Sequence, residues 1–477
     1  MLKPLAPARL PGRLATKLFY GFGSIAYGVK DNGFSVFLLV YYNQVLGLPA
    51  KWVGFAAMIA LILDAFLDPL IGYWSDNLRT RWGRRHPLMY AAALPAGLSF
   101  ALLWNPPAGL DHQQLFLYLL VLAVIVRIFI SFYEIPSSAL VAELTTDYDD
   151  RTSFLSYRYF FGWWGGLTMS LVAYRVFLQP DAAHPVGQLN PHGYAHYGMA
   201  GAVIMIVAIL VSALGTHREI KHFKAQPKRP PFNLRRNINE IFSTLNHRSF
   251  LMMTLAGFFG YAAVGLTFAL GVYFNTFFWS LTSNQISILV LGQFVSAAVA
   301  LLLGPALSRR FGKKVAAIWL SLFGIFVGPI PFVLRVVGWF PPNGSPVLLP
   351  ILFAFSTAVV TTSILAGILT SSMIADVVED SELVTGRRNE GLFFSANGFI
   401  LKCVSGFGIF GSGLILALVG FPQSATPATV SAAVLDRLAL AYVLSTTVLY
   451  LISVACVSAY AISRDRHEDN VRQISSD

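Results

Sequence analysis

The sequence predicts an all-α integral membrane protein of about twelve helices, and three observations predict it. Composition comes first: 56% of the 477 residues are apolar and only 12% are charged, where a soluble domain carries roughly 25% charged residues. The second is the arrangement of the apolar residues, which recur in blocks long enough to cross a bilayer, about 20 residues each. The third is the distribution of Lys and Arg, confined to every other connection.

The blocks place spans at approximately 18–46, 52–75, 87–104, 114–143, 153–178, 198–216, 250–278, 285–308, 314–337, 347–376, 389–420 and 432–462. Met1 to Lys17 contains Pro and Arg without an apolar core, so it does not read as a cleavable signal and the first block is kept as a helix. The segments Lys3–Lys17, Arg79–Arg85, Arg218–Arg248, Arg309–Lys314, Arg387–Arg388 and Arg464–Arg472 are basic. The alternate connections contain no Lys or Arg apart from Lys51. Positive charge is retained on the cytoplasmic side, so this alternation puts both termini inside and demands an even span count. The net charge of +11 is therefore a topology signal and not a nucleic-acid footprint. The two cysteines, Cys403 and Cys456, fall in spans and read as small buried residues without a disulfide.

The longest internal connection divides the chain into a six-helix half over 1–216, a basic linker over 217–249, and a second half with its tail over 250–477. Within the linker, Phe232–Leu245 reads either as a surface helix or as plain linker. The second-to-third and eighth-to-ninth connections repeat one pattern: a small residue, a basic turn, a Gly and a basic pair. The copies are Gly72, Ser75-Asp76, Arg79, Arg81, Gly83 and Arg84-Arg85, then Gly304, Ser308-Arg309-Arg310, Gly312 and Lys313-Lys314. Each links the second and third spans of its own half. That resembles the cytoplasmic gating loop of the major facilitator superfamily, which implies the fold of two related halves.

Charges inside the blocks locate the candidate site, because an ionisable group at mid-bilayer costs about 2.5–3.5 kcal/mol on insertion scales. Asp64 and Asp68 in span two are spaced i,i+4 and share a helix face. Two like charges there require a bound cation, a shared proton or a basic partner. Lys30 and Asp31 lie in span one and, pointing about 100° apart, need not pair with each other. Arg127 and Glu134 lie in span four, Arg158 in span five and Lys402 in span eleven. Mutual neutralisation would make them structural; a polar cavity for a hydroxyl-rich substrate is the sharper reading, since carboxylates accept from hydroxyls and Arg or Lys donate to them.

Several separate motifs carry a closer resemblance. Tyr20-Gly21-Phe22-Gly23 ahead of Lys30-Asp31, Asp64-Ala-x-x-Asp68-Pro69-x-x-Gly72, Ile135-Pro136-Ser137-Ser138-Ala139-Leu140, Tyr157-Arg158-Tyr159-Phe160-Phe161 and the loop Asp376–Gly391 are similar to the glycoside–pentoside–hexuronide:cation symporters, over nearly the whole chain. The resemblance implies that Asp64, Asp68 and Ser131 hold the coupling ion, a proton or sodium, with no other cofactor. It implies a sugar or glycoside site lined by Lys30, Asp31, Arg127, Glu134, Arg158, Trp163 and Lys402. It also implies a monomeric carrier in a bacterial inner membrane, with no enzyme activity and no nucleic-acid partner.

Two positions depart from the family. Leu67 stands where the sodium-coupled sugar permease has an amide, which favours a proton, since a proton needs no coordination shell. Ser138 replaces an aromatic that would stack on the sugar, leaving Tyr133, Trp163 or Trp164 to supply that surface. The alternatives are a lysolipid or amphiphile carrier of the same fold, and a non-transporting membrane sensor. An enzyme would want clustered His or Cys, and most of the nine His fall in connections or near span ends. There is no Gly-x-x-x-x-Gly-Lys-Ser/Thr loop to take energy from ATP.

Overall fold

The computed structural model describes residues 13–145, 147–222, 248–385 and 390–460. Phe232–Leu245, Arg464–Arg472 and the Gly386–Asn389 part of the loop motif lie outside the described residues, as does the side chain of Cys403.

Helices follow the apolar blocks. Span one is broken into Arg13–Phe22, Ser24–Asn32, Leu38–Val40 and two π turns, Gly33–Phe37 and Tyr41–Val45. Spans two to six are Ala50–Asn77, His86–Leu103, His112–Leu144, Tyr148–Val172 with a π turn at Ala173–Phe177, and Pro191–His217. Spans seven to twelve are Arg248–Tyr273 with a π turn at Phe274–Phe278, Ser283–Phe311, Lys313–Val327 continued by Ile330–Val337, Leu348–Thr385, Glu390–Leu418 and Ala432–Ser458. Nine described helices are long and apolar enough to cross a membrane. Among the described residues, spans one, five and eleven are not among these nine. Side chains begin several of these helices: Asp111 with Gln114 and Thr282 with Gln285 form capping boxes, and Asn190 caps span six.

The internal repeat extends beyond the basic loops. Spans one and seven both end in a five-residue π turn, and Leu46 N–H to Tyr41 O (3.0 Å) matches Trp279 N–H to Phe274 O (2.8 Å). The left-handed residue that follows is Gly47 (φ 75°) in one copy and Ser280 (φ 51°) in the other. Every member of the second copy lies 233 residues after the first, as Phe274 does after Tyr41. Gly83 (φ 72°) and Gly312 (φ 75°) occupy the left-handed conformation in the two basic loops, which a β-carbon would strain.

Spans one and five pack so closely that a β-carbon on Gly28 would lie 2.0 Å from the carbonyl oxygen of Gly162. Small residues let helix backbones approach where lipid supplies no hydrophobic drive. Gly28→Ala is expected to force these spans apart and cost about 1–3 kcal/mol; a melting curve of the purified protein that matches wild type would contradict this packing.

The halves meet at the end that carries the Lys- and Arg-poor connections, called here the neutral end. Tyr273 Oη donates to Asn43 Oδ1 (2.8 Å), Gln44 Nε2 to Pro422 O (3.0 Å), and the Ala425 N–H to Gln44 Oε1 (2.9 Å). Gln188 Nε2 donates to Leu281 O (2.7 Å), and Ser283 Oγ to Leu178 O. Beside them, Gly54 of span two abuts the backbone of Phe410, and Gly413 of span eleven abuts Ala50. These contacts seal the neutral end with amides and apolar surface.

Candidate functional site

The charged residues from different spans converge at one depth. Asp68 lies nine residues before Asn77, Glu134 ten before Leu144, Arg158 ten after Tyr148 and Lys402 twelve after Glu390. At about 1.5 Å per residue that is about 13–18 Å from the basic end, the middle of a hydrocarbon core about 30 Å thick.

Asp64 is the hub. It is buried (2% exposed), accepts from Ser131 Oγ at 2.7 Å, and lies 3.4 Å from Arg127 Nη1 and 3.3 Å from Lys402 Nζ. The i,i+4 carboxylates of span two thus meet an i,i+4 pair, Arg127 and Ser131, on span four. Asp68 pairs with Lys402 through Oδ2, while its buried Oδ1 has no hydrogen-bond partner. Two carboxylates and two cations leave the cluster neutral, with one lone carboxylate oxygen free to accept. Lys402 comes from the second half, so this cluster also bridges the halves, alongside an edge-on contact of Phe66 with Phe399 (5.2 Å).

Arg127 was placed by sequence at the substrate site; the structure puts it on Asp64, with its guanidinium 4.6 Å from the centroid of Phe34. Arg158 is 7% exposed, donates from Nη1 to Ser137 Oγ (2.9 Å) and from Nη2 to the Glu134 carbonyl (3.4 Å), and lies over the ring of Tyr27 at 5.1 Å. Lys30 and Asp31, whose helical separation left pairing open, do pair with each other at 2.6 Å: a long flexible lysine bends back to its neighbour when span one buries its stem. Lys30 is buried, and the Asp31 side chain is 58% exposed. Glu134 is half-buried and within electrostatic reach of Arg158 and Lys402. Of the aromatics weighed for stacking, Tyr133 is ruled out by complete burial against Ser212, whereas Trp163 is 46% exposed.

At the basic end, Asp76 and the pair Arg84-Arg85 come together with Glu143 of span four. Arg85 lies 3.2 Å from Asp76 and 2.5 Å from Glu143; Arg84 lies 3.6 Å from Asp76 and 2.6 Å from Glu143. Sequence reading missed Glu143, although an acid at the end of a span beside a basic loop is a usable signal. Arg81 stands apart, exposed and over Trp82 at 5.4 Å, and Gly72 packs at ordinary distance on Ile135.

Two helical halves sealed at one end around a charged midplane define a secondary transporter of the major facilitator type. The chain belongs to the MFS/sugar transport protein family, whose model matches residues 19–464, and the resemblance read from its motifs holds. Among its relatives, the putative glycoside/cation symporter YagG of Escherichia coli is 26% identical, over 96% of this chain and 94% of that protein. The isoprimeverose transporter of Lactiplantibacillus pentosus is 24% identical, over 84% and 80%. A bacterial homologue of the lysosomal transporter Spinster, solved in an inward-facing state, has the same fold, with a TM-score of 0.64 at 14% identity over 96% of this chain and 97% of that one.

Proposed function

We propose that this chain is a cation-coupled symporter of a sugar or glycoside that works by alternating access. One observation carries the reading: the paired carboxylates Asp64 and Asp68 of one half are tied across the midplane to Lys402 of the other. Because the cluster is already neutral, an incoming cation must displace Lys402 or, as a proton, neutralise Asp68. Either event weakens the cross-half tie and lets the halves move, so ion loading becomes conformational change. A proton fits better. It needs one oxygen, and Asp68 Oδ1 is free, whereas sodium needs several and Leu67 offers none.

Substrate hydroxyls would engage Asp31 and Glu134 at the same depth, with Arg158 held behind Glu134 and Trp163 supplying an apolar face. The neutral-end contacts form the outer gate, and the Asp76, Arg84, Arg85 and Glu143 cluster organises the inner one. The protein acts as a monomeric carrier and not an enzyme, in a bacterial inner membrane, with both termini cytoplasmic and 217–249 as the linker.

Proteoliposome uptake of isoprimeverose, lactose and raffinose under imposed proton or sodium gradients tests this reading. Asp68→Asn is expected to lose gradient-driven accumulation while retaining substrate exchange. Undiminished uphill uptake in that variant would remove Asp68 from the coupling site, and a strict sodium requirement would overturn the proton assignment.

A further inference from the structure

Tyr159 and Trp163 stand one helical turn apart on span five and are 73% and 46% exposed. The adjoining faces of that helix are occupied. Gly162 packs on Tyr27, Gly165 on Ile25 and Gly166 on Gly28, all of span one, and Trp164 meets Phe294 of span eight edge-on at 4.9 Å. The two rings therefore project between span one and span eight, into the space between the halves. Across that space stands Tyr261 of span seven, 46% exposed and near enough to Tyr159 for their hydroxyls to interact electrostatically. Tyr159 lies eleven residues after Tyr148 and Tyr261 thirteen after Arg248, the depth of the charged site.

We propose that Tyr159, Trp163 and Tyr261 form an aromatic subsite for the second ring of a glycoside, beside the hydroxyl-binding carboxylates Asp31 and Glu134. This deepens the symport reading and rests on it. Flat rings bearing hydroxyls suit such a guest, because a sugar or aryl aglycone offers an apolar face for stacking and polar edges for the phenols. Two walls belong to one half and the third to the other, so a one-ring sugar held at Asp31 and Glu134 leaves them empty, whereas a two-ring glycoside places its second ring among them. The subsite thereby selects glycosides over free monosaccharides.

The test is competition by matched methyl and phenyl glycosides of glucose, galactose and xylose for uptake into proteoliposomes. Wild type is expected to prefer the phenyl member of the transported pair by about tenfold, as added aromatic contact allows. Trp163→Ala and Tyr261→Ala should each shrink that ratio to about twofold, while Tyr261→Phe should keep it. Melting curves identify any variant that fails to fold, and the other alanine variant then decides. A wild type that carries the methyl glycoside with no phenyl preference overturns the subsite alone, as does a preference surviving both alanine changes. A wild type that carries neither member of any pair overturns the symport reading and the subsite with it.

Discussion

Replacing Asp64 with Asn is expected to abolish uphill uptake and to lower the melting temperature by several degrees. Asp64 is 2% exposed and is the carboxylate that faces both Arg127 and Lys402. An amide in its place takes from Arg127, itself buried, the carboxylate it pairs with among the described residues and leaves the ring of Phe34 beneath it. Removing one partner of a buried pair costs about 3–5 kcal/mol, because the charge left behind is desolvated without compensation. Lys402 keeps Asp68, so the halves remain tied, but the hub that sets the two carboxylates against two cations is gone. Asp64→Asn combined with Arg127→Gln removes both members and should recover much of the melting temperature without recovering accumulation. Thermal unfolding of purified protein, run beside gradient-driven uptake, separates the two effects. Wild-type uptake in the single variant would show that Asp64 does not couple, and an unchanged melting temperature that it does not brace the site.

The second large effect is expected at the basic end. In Arg85→Ala, Asp76 and Glu143, both nearly buried, lose the guanidinium that lies 3.2 Å from Asp76 and 2.5 Å from Glu143, while Arg84 stays 3.6 Å from Asp76. Two desolvated carboxylates from two spans thus lose a cation they share, and the loss should again be about 3–5 kcal/mol, read as lower yield of folded protein and a lower melting temperature. Arg81→Ala, in the same loop but exposed, is expected to stay within about 0.5 kcal/mol of wild type. Equal melting of the two variants would mean that this cluster braces nothing.

Much of this was legible in the chain itself, because it depends on local pattern. Block length placed the spans to within a few residues at most ends, and the repeated basic loops foretold a two-fold relation that the paired π turns extend. Spacing alone put Asp64 and Asp68 on one face, and the two basic loops each carried a Gly, at Gly83 and Gly312, which the structure places in the left-handed conformation. The resemblance carried by scattered motifs agrees with the family to which the chain belongs.

What sequence could not settle was partnership. Arg127 and Lys402 looked alike as isolated buried cations, yet one braces Asp64 within its own half and the other reaches it from 338 residues away. The partners of Glu143 and Ser137 were not readable until helix crossing brought them to Arg85 and Arg158. Tyr133, Trp163 and Trp164 were all named for a sugar wall until burial removed Tyr133. Charge content, hydrophobic length and helical period are properties of neighbours along the chain, so the sequence by itself determined the membrane class, the spans and the face of each buried charge. Which charge neutralises which, and which aromatic meets the cleft, depend on how separate helices cross, and tertiary structure alone decided them.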